Sequence, residues 1–148
     1  MGNMKGITDQ KITSALDYAS GSADRTGAII DMADYRGVMM YVKFGTIAAG
    51  ATTTIKAQQD TAVGGGTMAD LLGTGQAVAD DDDNQIFIID LYEPAERYVR
   101  LFIDKDAANA TAEIAWYQQY GCRKRPVENN VTDKVTYERH MTPAEGTA

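Results

Sequence analysis

The residue types that most often carry out enzyme chemistry are scarce in this sequence. It contains one histidine, His140, and one cysteine, Cys122. A nucleophile needs a neighbouring base, and a metal centre needs several converging ligands, so these two residues supply neither. His140 also lies in a polar stretch near the end of the sequence, where catalytic geometry is hard to hold. We therefore expect a protein that is not an enzyme.

Two glycine clusters look at first like phosphate-binding loops. Gly64-Gly65-Gly66 is followed by Thr67-Met68-Ala69, whereas a Walker loop ends in Gly-Lys-Ser/Thr and opens a helix. Gly73-Thr74-Gly75 lacks the third glycine and the preceding strand of a dinucleotide-binding fingerprint. Both clusters indicate flexible loops, and we expect no cofactor.

One acidic run contains the ligand type that Ca²⁺ prefers. It comprises four aspartates, Asp80, Asp81, Asp82 and Asp83. Adjacent carboxylates splay apart and lack the alternating ligands and glycine turn of an ordered calcium loop. A solvated acidic loop that discourages edge-to-edge pairing of sheets is the favoured interpretation. We expect no metal, and a weak cation site on these four residues is the alternative.

Aromatic and cationic residues follow one another late in the chain. Trp116, Tyr117 and Tyr120 sit on a predicted strand, where aromatic side chains usually fill a core or an interface. Arg123-Lys124-Arg125 is too short a basic run for nucleic acid, and the formal net charge of -7 argues against binding phosphates. We predict instead that these three cations dock on an acidic protein neighbour.

The elements that would position these residues are short strands. At 148 residues one hydrophobic core is expected, and no apolar stretch is long enough to span a bilayer. The clearest strand covers 37–47, where Val38, Met40, Val42 and Phe44 alternate with Met39 and Tyr41. Met39 and Tyr41 make the second face only partly polar, which predicts a central strand or one covered by another subunit. Further strands are predicted at 12–18, 27–32, 52–58, 85–91, 97–103 and 111–120.

This pattern predicts an all-β fold, an antiparallel two-sheet jelly-roll-like sandwich with an extended C-terminal arm. Residues 85–91 are nearly all apolar, as in a strand buried on both faces, and 67–72 forms at most a short helical turn. We divide the chain into an N-terminal arm (1–11), a β-sandwich domain (12–120) and a C-terminal arm (121–148). In the last, Val131, Val135 and Tyr137 hint at one more strand, which could add to a neighbour's sheet.

Several segments together resemble the head-decoration, or cement, proteins of tailed bacteriophages. The segments are Gly27-Ala28-Ile29-Ile30-Asp31-Met32-Ala33-Asp34-Tyr35-Arg36-Gly37-Val38, Gly45-Thr46-Ile47, Gln58-Gln59-Asp60 and Glu96-Arg97-Tyr98-Val99-Arg100. They span roughly residues 12 to 120, and the motifs carry no catalytic signature. This chain departs from the shorter family members by its 28 further residues after Tyr120.

The resemblance implies a jelly-roll-like domain that binds outside an assembled capsid and bridges neighbouring capsomers. The expected partners are the major capsid protein and further copies of this chain, as a homodimer or homotrimer, with no nucleic acid and no membrane. Residues 1–10 lack the apolar segment of a secretory signal, so we expect synthesis in the host cytoplasm and a place on the outer surface of the phage head. The alternatives are a tail, baseplate or receptor-binding β domain, and a carbohydrate-binding module.

Overall fold

The computed structural model describes residues 6–106, 109–141 and 144–147. Within these ranges the chain forms ten strands and two 3-10 turns, at Gly6–Thr8 and Val131–Asp133. No helix in the described ranges is long and apolar enough to cross a membrane. The strands are β1 (Lys11–Gly21), β2 (Arg25–Thr26), β3 (Ile30–Asp31), β4 (Gly37–Ile47), β5 (Thr53–Asp60), β6 (Ala69–Asp70), β7 (Gln76–Val78), β8 (Ile86–Tyr92), β9 (Tyr98–Lys105) and β10 (Thr111–Tyr120).

The strands form two antiparallel sheets. Sheet A has the order β1-β10-β4-β8, and sheet B has the order β2-β9-β5-β6, with β3 also on β9 and β7 also on β5. In sheet B, β2 and β3 lie end to end along one edge, and β6 and β7 lie end to end along the other edge. Each of these pairs occupies one strand position, so the ten strands fill eight positions. In chain order, sheet A takes positions 1-8-3-6 and sheet B takes 2-7-4-5, the connectivity of a jelly roll. The predicted two-sheet all-β sandwich is confirmed.

The core lies between the sheets, and β4 shows the alternation most clearly. Val38, Met40, Val42 and Phe44 are fully buried, whereas Tyr41 on the opposite face is half-buried. β4 lies between β10 and β8, so the first of the two predicted alternatives, a central strand, is correct.

A buried ionic cluster links the two sheets at one end of the core. Glu113 on β10 of sheet A is fully buried. Its carboxylate lies 2.8 Å from Lys105 Nζ on β9 and 2.9 Å from a guanidinium nitrogen of Arg25 on β2, both in sheet B. It also accepts a 2.6 Å hydrogen bond from the Thr111 hydroxyl. Since both Glu113 and Lys105 are excluded from water, each charge depends on the other.

The predicted single strand at 27–32 is wrong, because residues 27–29 separate β2 from β3. At this gap Gly27 N donates to Leu101 O on β9. Leu101 N donates instead to the Tyr117 hydroxyl, at 2.8 Å, which reaches across the core from sheet A. A Cβ atom on residue 27 would lie 2.3 Å from that oxygen. The close approach of the Tyr117 hydroxyl therefore requires glycine at position 27.

Two further predictions about the strands are wrong. Residues 67–72 do not form a helical turn, since Ala69 and Asp70 make the short strand β6 on β5. β8 is not buried on both faces, because it is the edge strand of sheet A. Its inward residue Ile89 is buried, while Ile86 and Ile88 are exposed. The unbroken apolar run therefore belongs to a strand with one buried face and one exposed face.

The start of the C-terminal segment packs on the sandwich. Arg123 N donates to Asp34 O, and Val127, which is buried, donates its N–H to Thr8 O. The extended strand suggested by residues 131–137 is wrong, because Val131–Asp133 is a 3-10 turn. Asn130 Oδ1 caps this turn by accepting a hydrogen bond from Thr132 N, which favours a turn over continued extension.

Asn129 ties this segment to the residues that precede and begin β1. Its buried side chain accepts a 2.7 Å hydrogen bond from Ile12 N. It donates to the carbonyl oxygens of Ile7, at 3.1 Å, and Gln10, at 2.9 Å. The amide thereby satisfies three backbone groups at once, the role that buried polar groups serve in stable folds.

Replacing Asn129 with alanine is expected to lower the free energy of unfolding by about 1–3 kcal/mol, because buried backbone groups lose their partners. Amide exchange at Val127 should accelerate roughly tenfold or more as the segment loosens. Urea denaturation and hydrogen exchange measure the two effects. Asn130→Ala is the matched control, since this exposed residue caps a single turn and should cost about 1 kcal/mol or less. Equal losses for the two variants would contradict the assignment.

Candidate protein-binding surface

The outward side chains of sheet A form rows across its four strands, because residues paired in an antiparallel sheet lie on the same face. The central row runs through Ser14, Trp116, Tyr41 and Ile88. One adjacent row holds Ile114, Lys43 and Ile86, and the other holds Gln118, Met39 and Asp90. We define the outer face of sheet A by these outward residues: Met39, Tyr41, Lys43, Ile86, Ile88, Asp90, Tyr92, Ile114, Trp116, Gln118 and Tyr120.

A stacked aromatic pair occupies the centre of this face. The rings of Tyr41 and Trp116 are parallel within 3°, with centroids 5.2 Å apart. The Tyr41 hydroxyl donates a 2.9 Å hydrogen bond to Gln118 Oε1, which holds its ring in place. Stacking of this kind adds rigidity to an apolar surface. Each ring also covers one face of the other.

Tyr120 closes one end of the face. Its ring lies across Gly37, where a Cβ atom would come within 2.3 Å of the ring carbon Cζ. Its hydroxyl donates to the Asp90 carboxylate at 2.5 Å. Burial, and next this hydrogen bond, raise the pKa of Tyr120 above its ordinary value, so the group stays protonated and donating. Met39 and Cys122 line a cavity of about 460 Å³ beside it.

Large apolar side chains on this face are open to solvent. Ile86 is 54% exposed, Ile88 45%, Tyr92 58% and Ile114 37%. Single exposed apolar residues are ordinary, whereas a group of them on one sheet face is typical of surfaces that bind another molecule.

The outer face of sheet B has the opposite character. Lys56 Nζ lies 2.8 Å from Asp70 and 3.7 Å from Asp104. Arg100 donates to Gln58, which in turn donates to Asp70. These polar groups satisfy one another within the sheet and need no partner. The two outer faces therefore differ in kind: that of sheet A is largely apolar and that of sheet B is largely polar.

Comparison with known proteins shows that this chain is similar to solved structures in fold alone. No protein-family model and no curated protein sequence matches the chain. The crystal structure of the PBSX exported protein XepA matches 96% of this chain with a TM-score of 0.53 and 13% sequence identity. The matched part is 47% of XepA, so this chain spans about half that protein's length. A structure from Bacillus endospore appendages, a family of disulfide-linked pili, covers 81% of this chain and 96% of that one, with a TM-score of 0.45 and 15% identity.

Two of the predicted interface residues, Met39 and Tyr41, lie on the outer face of sheet A. The three predicted cations lie elsewhere, beyond Tyr120. Lys124 Nζ is 3.6 Å from Asp34, and Arg125 Nε is 3.1 Å from the buried carboxylate of Asp9. The side chain of Arg123 is exposed. Two of these cations thus pair with aspartates of their own chain, and their docking on an acidic neighbour stays a prediction.

The three apolar residues predicted for the C-terminal strand are not part of the core. Val131 is 78% exposed, Tyr137 is 43% exposed and Val135 is half-buried. Val135 N donates to Asn130 O at the end of the 3-10 turn. Contact of this segment with another subunit stays a prediction.

The acidic loop serves local structure. Asp80 accepts a hydrogen bond from Gly50 N, Asp82 from Ala79 N and Asp83 from Ile47 N. Asp80 and Asp83 thereby link the loop before β8 to the end of β4 and the turn after it, and the Asp82 contact lies within the loop itself. Over residues 6–106, 109–141 and 144–147, no three His, Cys, Asp or Glu residues converge in a way that could hold a metal ion.

Sequence reasoning missed most of the outer face of sheet A. Ile86 and Ile88 were assigned to a strand buried on both faces. Ile114 and Trp116 share one side of the predicted strand at 111–120, and the pattern does not show that this is the outer side. The available signal was that Glu113 and Tyr117 alternate with them, but polarity alone indicates the wrong side, because the acidic residue is the buried one.

Proposed function

We propose that this chain is a structural virion protein that decorates the outside of a tailed-bacteriophage capsid, bridging capsomers through the outer face of sheet A. The observation that carries the proposal is the contrast between the two sheets: one outer face is apolar, aromatic and exposed, and the other is polar and self-paired. The resemblance of the segments at 27–38 and 96–100 to cement proteins supplies the choice of partner. Many weak contacts repeated by capsid symmetry then add up to firm attachment.

A carbohydrate-binding module is the alternative of a different class. A sugar-binding platform needs free ring faces on aromatic side chains, in one accessible row. Tyr41 and Trp116 lie in one row but cover each other, and each is only half-exposed. This geometry favours a surface that binds protein over one that binds a glycan.

The test is sedimentation of the purified chain with mature, undecorated heads, with tails as a parallel sample. The full chain should pellet with heads at a fixed saturating ratio. Ile114→Glu should weaken binding at least roughly tenfold, because docking would have to remove water from the new carboxylate and from its neighbour Lys43, at a cost of more than about 1.4 kcal/mol. The register puts position 114 opposite Lys43, so the free protein accommodates the new charge.

Leu72→Glu is the matched control, since Leu72 is fully exposed and adjoins β6 at the edge of sheet B. It should bind heads like the unchanged chain. If Ile114→Glu binds heads as well as the unchanged chain does, the outer face of sheet A is not part of the interface. Pelleting with tails alone, or with neither sample, would overturn the capsid proposal, and glycan binding by the free chain would favour the alternative.

A further inference from the structure

β8 leaves a free backbone edge on sheet A. Hydrogen bonds Phe44 N to Gln85 O and Glu93 N to Arg36 O show that the odd-numbered residues of this strand pair toward β4. Backbone groups of the even-numbered residues, 86 to 92, therefore point away from the sheet. Within the described residues no strand pairs with this edge, although the side chain of Gln76 donates to Ile88 O. An apolar edge strand with one charge in seven residues is the type that recruits another strand.

A segment suited to that edge lies in the C-terminal part of the same chain. In residues 135–141, Val135, Tyr137 and Met141 share one side of the two-residue period with Arg139. Tyr137 and Met141 are 43% and 93% exposed, and no helix or strand is assigned here. The Val-Thr-Tyr start has high β-propensity. Such a segment gains backbone hydrogen bonds and apolar contacts by joining a sheet edge.

The segment starts at the edge of sheet A opposite β8. Residues just before it contact β1: Asp133 lies 2.6 Å from Lys11, and Lys134 pairs with Asp17. β1 and β8 are the two edges of the four-stranded sheet, roughly 14 Å apart at the usual strand spacing. A donor at one edge and an acceptor at the other make a head-to-tail contact between copies, which closes into a ring when the rotation permits.

Charge distinguishes this pairing from a symmetric contact of β8 with β8. Residues 80–93 contain six carboxylates, Asp80 to Asp83, Asp90 and Glu93, and no lysine or arginine. Two such edges would repel each other. Residues 135–141 contain one arginine, Arg139, and one carboxylate, Glu138, and so carry no formal net charge. The absence of this repulsion favours the C-terminal segment over a second β8 as the occupant.

We propose that residues 135–141 of one copy add as a strand to the β8 edge of a second copy, so that the protein assembles head to tail. The second copy is the partner, and the assembly does not depend on a capsid. The inference stands apart from the proposed decoration function.

Analytical ultracentrifugation of the full chain, with and without residues 136–148, tests the assembly. The full chain should sediment as an oligomer, and the shortened chain, which keeps Val135 and the Asn129 contacts, should dissociate at least roughly tenfold more readily. Removal of residues 142–148 alone is the control and should leave the oligomer intact. A monomeric full chain, or an oligomer unaffected by loss of 136–148, would overturn the proposal. A monomeric full chain that still pellets with heads would overturn this assembly proposal and leave the decoration proposal standing.

Cross-linking identifies the two surfaces. In a Cys122→Ser background, chains carrying Ile88→Cys are mixed with chains carrying Tyr137→Cys and treated with a short bismaleimide. Cross-linked dimers should form in the mixture and not in either variant alone. Dimers formed by Ile88→Cys alone would establish the symmetric β8 contact instead, and absence of dimers in the mixture would also contradict the assignment.

Discussion

Replacement of Lys105 by methionine is expected to lower the free energy of unfolding by about 3–5 kcal/mol, because the buried Glu113 carboxylate loses its fully buried cation and keeps only Arg25 and Thr111. Lys105 and Glu113 are almost completely excluded from water, with side-chain exposures of 1% and 0%. Lys105 Nζ also donates to Gly21 O, so its loss removes a neutral contact as well. Urea denaturation followed by circular dichroism measures the change.

Lys56→Met is the matched control on the outer face of sheet B. Its partner Asp70 is half-exposed, and solvent screens such pairs, so we expect a loss of about 1 kcal/mol or less. The double variant Lys105→Met with Glu113→Leu should recover part of the stability, because a buried ion pair is often replaceable by apolar residues of similar volume, while Arg25 keeps its hydrogen bonds to the carbonyl oxygens of Asp17 and residue 113. Equal losses for Lys105→Met and Lys56→Met would contradict the buried cluster.

Gly27→Ala is expected to be the second most damaging single change, costing about 2–5 kcal/mol. The new methyl would lie 2.3 Å from the Tyr117 hydroxyl and 3.2 Å from Leu101 O, which combines overpacking with loss of a buried hydrogen bond. Tyr117→Phe alone should cost about 1–3 kcal/mol, since it leaves Leu101 N without its acceptor. Thermal or urea unfolding of each variant measures these losses.

The pair also makes a double-mutant cycle. Gly27→Ala combined with Tyr117→Phe should cost less than the sum of the single changes, because phenylalanine removes the oxygen that the new methyl meets. Gly45→Ala is the control: a Cβ there meets nothing closer than 3.6 Å, so its effect should stay within about 0.5 kcal/mol. Strict additivity in the cycle would show that the methyl and the hydroxyl do not meet.

The buried ionic cluster around Glu113 and the close contact between Gly27 and Tyr117 show why some structural roles cannot be predicted from a sequence pattern. Glu113 lies on a strand whose period is plain, yet its partners Lys105 and Arg25 come from different strands of the other sheet. The need for glycine at position 27 depends on a hydroxyl 90 residues away in the chain. No local pattern encodes either distance.

For β8 as well, the sequence pattern does not show which residues are exposed to solvent. The run Ile86, Phe87, Ile88, Ile89 contains no polar residue to mark its solvent face. Whether the second face is covered depends on which strand lies beside it and on which sheet it joins. Met39 and Tyr41 are recognisable as residues of the second face because they alternate with four core residues on β4, whereas Ile86 and Ile88 have no such contrast.

The sequence by itself determined the all-β class and the two-sheet sandwich, and it limited β4 to a central strand or one covered by another subunit. It did so because alternation every two residues is local and survives without knowledge of partners. Only the tertiary structure decided that sheet A carries the apolar outer face, that Glu113 is buried, and that Lys124 and Arg125 pair with aspartates of their own chain. Those outcomes depend on register and on contacts between residues far apart in the chain, which no short-range period contains.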